Sequence, residues 1–410
     1  VGRVDVRIAV IARPGMWIVG QAEELRRRGH EVTVVLTPAP ALAPTGLAEA
    51  LRARRFEVRE APLPPRLRPT PATLRGLRRL RRLIRELRAD AVYYHPYAAA
   101  VAARLGTLGL PVRRVHRVTA EAPHLDSGRA RRLERLLWRL DDVTICCTAH
   151  VSEHYRRLGC PAERRPVAYA GTNLARFRPA WAPRDRYAGS PARAEARAKA
   201  RAEIGVDEHC FLAVMVGFVY PPRRSRYRGR DIKGYDVLLE AWRTFHAGAP
   251  RSHLVLVGGG VGEAGETHRQ GLMARFGITD DPGVGVTWVD STPDVRPYYR
   301  AADLNVSPCR NAGGSAAVLE ASAMALPSIV SDAGGLPESL DEEAGWVVPC
   351  GDPAALAGAL EAAYREFAGD RLAARGDHAR RRAIRLFDDR VAAMRVVDII
   401  ERTVIGVAQR

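Results

Sequence analysis

The sequence predicts an α/β protein made of two successive parallel sheets, each covered by helices on both faces. Three observations predict it. Short apolar runs alternate with helical patterns along the 410 residues, a polar, proline-bearing stretch interrupts the alternation once, and a second series of the same kind follows. At 47% hydrophobic and 27% charged, the chain has the composition of a soluble globular protein with material for more than one core.

In the first series VRIAVIA (6–12), EVTVVL (31–36), ADAVYY (89–94), VRRVHRV (112–118) and DVTICC (142–147) read as strands, and PVAYAG (166–171) closes the series. Each run is too short for a buried helix and is followed by a helical pattern, which is the signature of parallel strands joined by crossovers. The second series is CFLAVMVG (210–217), SHLVLVG (252–258), VGVTWV (284–289), DLNVSP (303–308), PSIVSD (327–332) and GWVVP (345–349). Two such series imply two Rossmann-like domains. The boundaries drawn from the pattern are 1–180 for the first domain and 205–385 for the second, with 181–204 as a linker whose tail is helical. The last stretch, 386–410, reads as an amphipathic helix that returns to the first domain.

Charge is less informative than it looks. Of 64 basic residues only Lys199 and Lys233 are lysine, a bias that reflects GC-rich coding more than arginine chemistry, so much of the +18 net charge is discounted. The helix predicted over 70–90 is different. Thr70 and Pro71 suit an N-cap and first helical position, while Leu74, Leu77, Leu80, Leu83, Ile84 and Leu87 recur at helical spacing among arginines. It reads as a domain helix with a solvated basic side or, more sharply, as a peripheral contact with an anionic membrane through 74–88. No nucleic acid is expected, because aromatic stacking residues are not interleaved with the arginines.

The six cysteines form no CxxC pair and no metal-ligand spacing, and no apolar run approaches the ~18 residues needed to span a bilayer. The opening residues do not read as a signal peptide, so a reduced cytoplasm is the expected location. No metal or other cofactor is expected.

Two constellations could carry chemistry. In NAGGSAAVLEASAMA (311–325), Gly313 and Gly314 permit close backbone approach and Ser315 can cap a helix, so free N–H groups and the positive dipole end converge on one point suited to a phosphate. Glu320 stands about one and a half turns inside that helix, too deep to be a capping-box partner. It is either a solvated helix residue or a carboxylate that accepts hydrogen bonds from a diol, and pattern alone does not separate the two. In RDIKGYDVLLEAW (230–242), Lys233 precedes Gly234 at the mouth of an apolar helix, and Arg230 offers a second, forked cation. A formal GxGxxG match at Gly260, Gly262 and Gly265 trails its strand and reads as a simple strand-to-loop turn.

In this order the motifs resemble the retaining glycosyltransferases of family 4. GQAEELRRRGHEVTVVL (20–36), AGTNLARFRP (170–179), IKGYDVLLEAW (232–242), LVLVGGG (254–260), TPDVRPYYRAADLNVSP (292–308), VLEASAMALPSIVSDAGGLPES (318–339) and AGWVVPCGDPAALAGAL (344–360) follow in family order across nearly the whole chain. The resemblance implies the GT-B fold, two domains facing across a cleft with the last helix crossing back. It implies a nucleotide-sugar donor, as substrate, held by the C-terminal domain. It also implies a glycan, lipid-linked or small-molecule acceptor held by the N-terminal domain. By the same resemblance Lys233 binds the donor diphosphate, Glu320 holds the ribose, and the Gly313–Gly314–Ser315 turn meets sugar and phosphates. Gly15 underlies the diphosphate, Gly217 ends the first strand of the donor domain, and His116 stands near the sugar. Two departures stand out. The first glutamate of the family's pair is replaced by Ala312, with Asn311 beside it as a neutral hydrogen-bonding group. The arginine expected after Gly217 is replaced by Phe218, followed by an insertion bearing Arg223, Arg224, Arg226, Arg228 and Arg230, of which Arg230 is the expected replacement. A non-catalytic partner subunit and a nucleotide-sugar epimerase are the alternatives.

Overall fold

The computed structural model describes residues 5–12, 17–37, 46–61, 70–95, 97–118, 128–180, 191–222, 230–279, 285–369 and 371–405. The chain divides into two compact units. The first is residues 1–170 with 389–410, and the second is residues 171–388.

The first unit carries β1 (Arg7–Ala12), β2 (Glu31–Leu36), β3 (Glu57–Glu60), β4 (Ala91–His95), β5 (Arg113–Val118) and β6 (Val143–Cys146), all parallel, in the order β3-β2-β1-β4-β5-β6. Its helices are α1 (Trp17–Arg27), α2 (Leu47–Ala53), α3 (Pro71–Glu86), α4 (Tyr97–Gly106), α5 (Gly128–Leu137), α6 (Ala149–Arg157) and, after the chain returns, α14 (Asp389–Ile405). Alternate strand residues feed two cores. Ile8, Val10, Val34 and Tyr93 pack with α1, α2 and α14 on one face, whereas Ala9, Ile11, Val92 and Tyr94 pack with α3 and α4 on the other. The returning helix is fixed to the end of α1, where Arg28 bridges Asp398 and Glu401 at 2.6 and 2.7 Å and His30 Nε2 lies 2.9 Å from Glu401.

The second unit repeats the plan with β7 (Phe211–Val216), β8 (Ser252–Val257), β9 (Val286–Val289), β10 (Leu304–Ser307), β11 (Ser328–Ser331) and β12 (Gly345–Val348), in the order β12-β11-β10-β7-β8-β9 and again parallel. Its helices are α7 (Pro191–Glu203), α8 (Tyr235–Gly248), α9 (Gly262–Phe276), α10 (Arg296–Ala301), α11 (Ala316–Ala323), α12 (Pro353–Ala368) and α13 (Leu372–Leu386). Leu238, Leu239 and Trp242 of α8 are buried against Phe211, Ala213 and Met215, while α11 packs through Ala321 and Ala323 against the opposite face with Leu212 and Val214. The two loops that leave β7 and β10 therefore diverge from a single point between adjacent strands.

Three details differ from the sequence pattern. β3 was not expected: its EVRE is an edge strand with almost no burial, so it carries no apolar signal. PVAYAG forms no strand and contributes only an isolated bridge from Val167 to Cys146. The unit boundary falls at Ala170/Gly171 instead of 180 because Phe177 is buried in the second unit, edge-on to Tyr299 at 6.4 Å. The linker's tail is the helix α7, docked in that unit by the fully buried Arg201, which donates to the Ala301 carbonyl at 2.9 Å and to Asp303 at 2.6 Å. The helix expected over 70–90 begins as predicted, with the Thr70 hydroxyl accepting from the Thr73 N–H at 3.3 Å.

Candidate functional site

The sheet order of the second unit fixes where a ligand can bind. From β7 the chain winds one way through β8 and β9, and from β10 it winds the other way through β11 and β12. The crevice beyond the carboxyl ends of β7 and β10 is the topological switch point, the usual ligand position in open parallel sheets. Lys233 lies on the connection leaving β7, and 311–320 lies on the connection leaving β10. The fold thus brings the two sequence constellations to one crevice.

These connections are locked together. Arg310, almost fully buried, forks onto Asp236 at 2.6 and 2.8 Å and donates to the Asp231 carbonyl at 2.7 Å, while its own N–H reaches the Ile232 carbonyl at 2.8 Å. Gly234 caps α8 with φ +79°, and a Cβ there would collide with the Pro308 carbonyl, so only glycine lets the two segments approach. The buried Asp231 carboxylate accepts from the N–H groups of Lys233 at 3.1 Å and Tyr235 at 2.8 Å, closing the first turn of α8. Burial pushes that carboxyl up, against the pull of those two N–H groups. Lys233 Nζ lies 5.9 Å from the centre of the Tyr220 ring. Arg230 is exposed immediately before Asp231, whereas Arg223, Arg224, Arg226 and Arg228 lie outside the described residues.

Gly217 directly follows β7, and its carbonyl accepts from the Tyr235 hydroxyl. Phe218, in the place of the expected arginine, is 52% exposed. The formal GxGxxG is a packing device. A Cβ at Gly260 would strike the backbone at Gly265 and Glu266, and Gly265 is pressed against the Val219 carbonyl.

On the β10 side Ser315 holds the N-cap position of α11, but its side chain makes no cap hydrogen bond, so the expected side-chain cap is absent. Neither Gly313 nor Gly314 has a positive φ, and a Cβ on Gly314 would meet nothing within 4 Å. Gly314 thus leaves open space on its Cβ side, whereas Gly313 is buried. Ala312 is buried with Cys309, Val318, Val330 and Leu336, and its carbonyl accepts from the Gly335 N–H at 2.8 Å. A glutamate with that side-chain direction would be desolvated among apolar groups.

Glu320 is a partly satisfied carboxylate on the β10 side. One carboxylate oxygen accepts from the Tyr299 hydroxyl at 3.2 Å, and the same hydroxyl lies 3.2 Å from the Ala317 carbonyl. Burial pushes the Glu320 carboxyl up to about 7, against the opposing pull of Tyr299 and of Arg176. Tyr299 and Arg176 were not singled out in the sequence. Arg310 was also missed, because one arginine among so many carries no signal.

Two expected site residues belong to the first unit. Gly15 lies outside the described residues. His116, expected near the sugar, lies inside β5, which ends at Val118, and its ring is only 1% exposed. Arg104 Nη2 lies 3.0 Å from its Nδ1, and Asp141 lies 3.6 Å from the same nitrogen. Tyr94 stacks on it at 5.5 Å and Tyr155 meets it edge-on at 6.5 Å. Arg104 in turn forks onto Glu134 at 2.9 and 3.0 Å and donates to Asp141 at 2.8 Å, and the hydroxyls of Tyr94 and Tyr155 close the remaining positions. This is the setting of a core histidine.

Two doubly wound parallel sheets with a returning C-terminal helix define the GT-B fold. The match to solved structures covers nearly the whole chain. A glycosyltransferase from Rickettsia africae superposes with TM-score 0.76 at 15% identity, covering 97% of this chain and 98% of the other. Anabaena HepE, in complex with UDP and glucose, superposes with TM-score 0.75 at 16% identity, covering 97% and 99%. Two family models match in sequence: a glycosyl transferase 4-like domain over residues 15–171 and glycosyl transferases group 1 over residues 224–366. The chain belongs to the group 1, family 4 glycosyltransferases. Among curated relatives, a D-inositol 3-phosphate glycosyltransferase of Streptomyces avermitilis is 33% identical over 252 residues, which are 58% of this chain and 47% of the relative. One of Salinispora arenicola is 32% identical over 204 residues, 48% of this chain and 41% of the relative. The matched segment spans about half the length of these curated relatives.

Proposed function

We propose that this chain is a retaining glycosyltransferase that moves a sugar from a nucleoside-diphosphate sugar to an acceptor hydroxyl. The observation that carries the reading is the locked junction at the β7–β10 switch point, with Lys233 on one side and the mostly buried, half-satisfied Glu320 on the other. Lys233, Arg230 and the N-terminus of α11 would meet the diphosphate. The backbone at Gly217, Gly313 and Gly314 would allow its approach, Asn311 and Ser315 would supply neutral hydrogen bonds, and Glu320 would hold the ribose diol. Binding of UDP and glucose by a protein of the same fold supports a nucleotide-sugar donor.

The chemistry follows from where charge develops. As the bond between the anomeric carbon and the diphosphate oxygen breaks, negative charge builds on the leaving phosphate, where Lys233 and the helix dipole wait. Preorganised groups of that kind contribute several kcal/mol, on the order of 2.7–4 for one well-placed donor. The acceptor oxygen bonds to the anomeric carbon on the face the diphosphate leaves, and its proton passes to the departing phosphate oxygen. No separate base is needed. The names of the curated relatives make an inositol phosphate one acceptor to test, alongside glycan and lipid-linked hydroxyls. Six free cysteines, five of them buried, support a cytoplasmic reaction.

The test is thermal unfolding against UDP-, GDP- and ADP-sugars, followed by turnover with D-inositol 3-phosphate and other acceptors. A donor at 100 times its dissociation constant adds about 2.7 kcal/mol of stability, a shift of several degrees. If no nucleotide sugar shifts the transition, the reading fails. Donor binding with no turnover on any acceptor would favour the non-catalytic partner, to which the replacement at Ala312 points. Product formed without acceptor would favour an epimerase.

A further inference from the structure

We infer that the outer surface of the α3–α4–α5 layer in the first unit is a docking face for an anionic lipid surface. The inference goes beyond the catalytic reading and does not depend on it.

Topology puts these helices side by side. The steps β3 to β4, β4 to β5 and β5 to β6 run in one direction across the sheet, so right-handed crossovers place α3, α4 and α5 on the same face. Contacts join them. Arg81 of α3 donates to the Leu108 carbonyl at 2.6 Å just beyond α4, and Arg104 of α4 holds Glu134 of α5. Their inner faces are spent on the core, with Leu80 and Ile84 buried on α3 and Ala99, Ala100 and Ala103 on α4.

The outer face is both basic and apolar. On α3 and the turn after it Arg75, Arg78, Arg79, Arg82, Arg85 and Arg88 are exposed, and Arg131, Arg132 and Arg135 are exposed on α5. Within α3 to α5 the one exposed carboxylate among the described residues is Glu86. Ten large apolar side chains are exposed among the described residues of the whole chain, and five of them are here: Leu74, Leu105, Leu108, Leu133 and Leu136. Leu136 is 67% exposed, and Leu133, 47% exposed, lies beside it.

Arginine alone would suit any polyanion. Leucines interspersed among arginines, without aromatic rings to stack on bases, suit a surface that offers charge at the headgroups and apolar depth beneath. Each basic side chain near such a surface strengthens binding about 5-fold. The expectation of a single membrane-facing helix thus widens to a three-helix face.

The experiment is co-sedimentation of the chain with phosphatidylglycerol–phosphatidylcholine vesicles and with phosphatidylcholine vesicles alone. It compares the wild type, Arg78→Glu/Arg82→Glu on α3, Arg131→Glu/Arg135→Glu on α5 and Leu133→Ser/Leu136→Ser. Thermal unfolding checks that each is folded, and the two α5 pairs stand in for each other if one is not. Salt-sensitive binding to the anionic vesicles only is expected, weakened more than ~10-fold by either arginine pair and several-fold by the leucine pair. Equal or absent binding to the two vesicle types would overturn the inference, as would α5 variants that bind like the wild type. Tighter binding to single-stranded RNA, retained by the leucine pair, would make the face a nucleic-acid surface instead.

Discussion

Arg104 and Glu320 are both charged groups removed from water, one in each unit, and the fold treats them in opposite ways. Arg104 is fully buried and well paired: two carboxylates and the His116 ring close around it, and the Tyr94 and Tyr155 hydroxyls donate to those carboxylates. Glu320 is largely buried too, but one tyrosine hydroxyl on one carboxylate oxygen is its only hydrogen-bond donor among the described residues. A buried charge with every valence met holds a structure together. A buried charge left partly unmet is costly in the free protein, and that cost is recovered only when a ligand supplies the missing donors.

The difference can be broken experimentally. The largest effect is expected from Arg104→Met, which leaves Glu134 and Asp141 buried without their cation and should cost about 3–5 kcal/mol in urea unfolding. A loss under 1 kcal/mol would mean the cluster is not the keystone described. Next is Gly234→Ala, whose Cβ would strike the Pro308 carbonyl at a positive φ. It should cost about 1–3 kcal/mol and weaken donor binding at the same time, because the Lys233 turn moves. Lys233→Ala should leave stability nearly unchanged and lower turnover by ~10-fold or more. Wild-type kinetics with saturating donor would remove Lys233 from the site. The smallest effect is expected from Tyr299→Phe, about 1 kcal/mol of stability together with a weaker hold on the donor as Glu320 loses its support. A change in stability alone would show that Tyr299 serves packing only.

Much of this was legible in the sequence. The strand–helix alternation located eleven of the twelve strands because a parallel strand buried on both faces must be apolar; β3 was invisible because EVRE is a polar edge. The two site constellations were legible because glycine, a rare lysine and a lone glutamate in a small-residue run are compositional anomalies. What was not legible depended on three-dimensional partners. His116 stood in a strand that the sequence already ran to 118, but nothing in the sequence showed that its ring is sealed in the core. Arg104 and Arg310 lock their surroundings but are indistinguishable from the other arginines until their carboxylates and carbonyls are placed. Ser315 was positioned correctly and assigned a hydrogen bond that its side chain does not make.

The most direct test is Glu320→Gln, measured for stability and for donor affinity at several pH values. Because burial raises the Glu320 carboxyl from 4.5 to about 7, the native state keeps its proton over a range in which the unfolded chain has released it. Its favourable contribution is complete below pH 4.5 and is lost as pH rises through about 7. Glutamine cannot ionise, so the variant should be more stable than the wild type above pH 7, by up to about 3 kcal/mol, and should bind the nucleotide sugar ~10-fold or more weakly. A variant that is less stable there, or that binds the donor as well as the wild type, would contradict the assignment of Glu320 as a carboxylate held ready for a ligand.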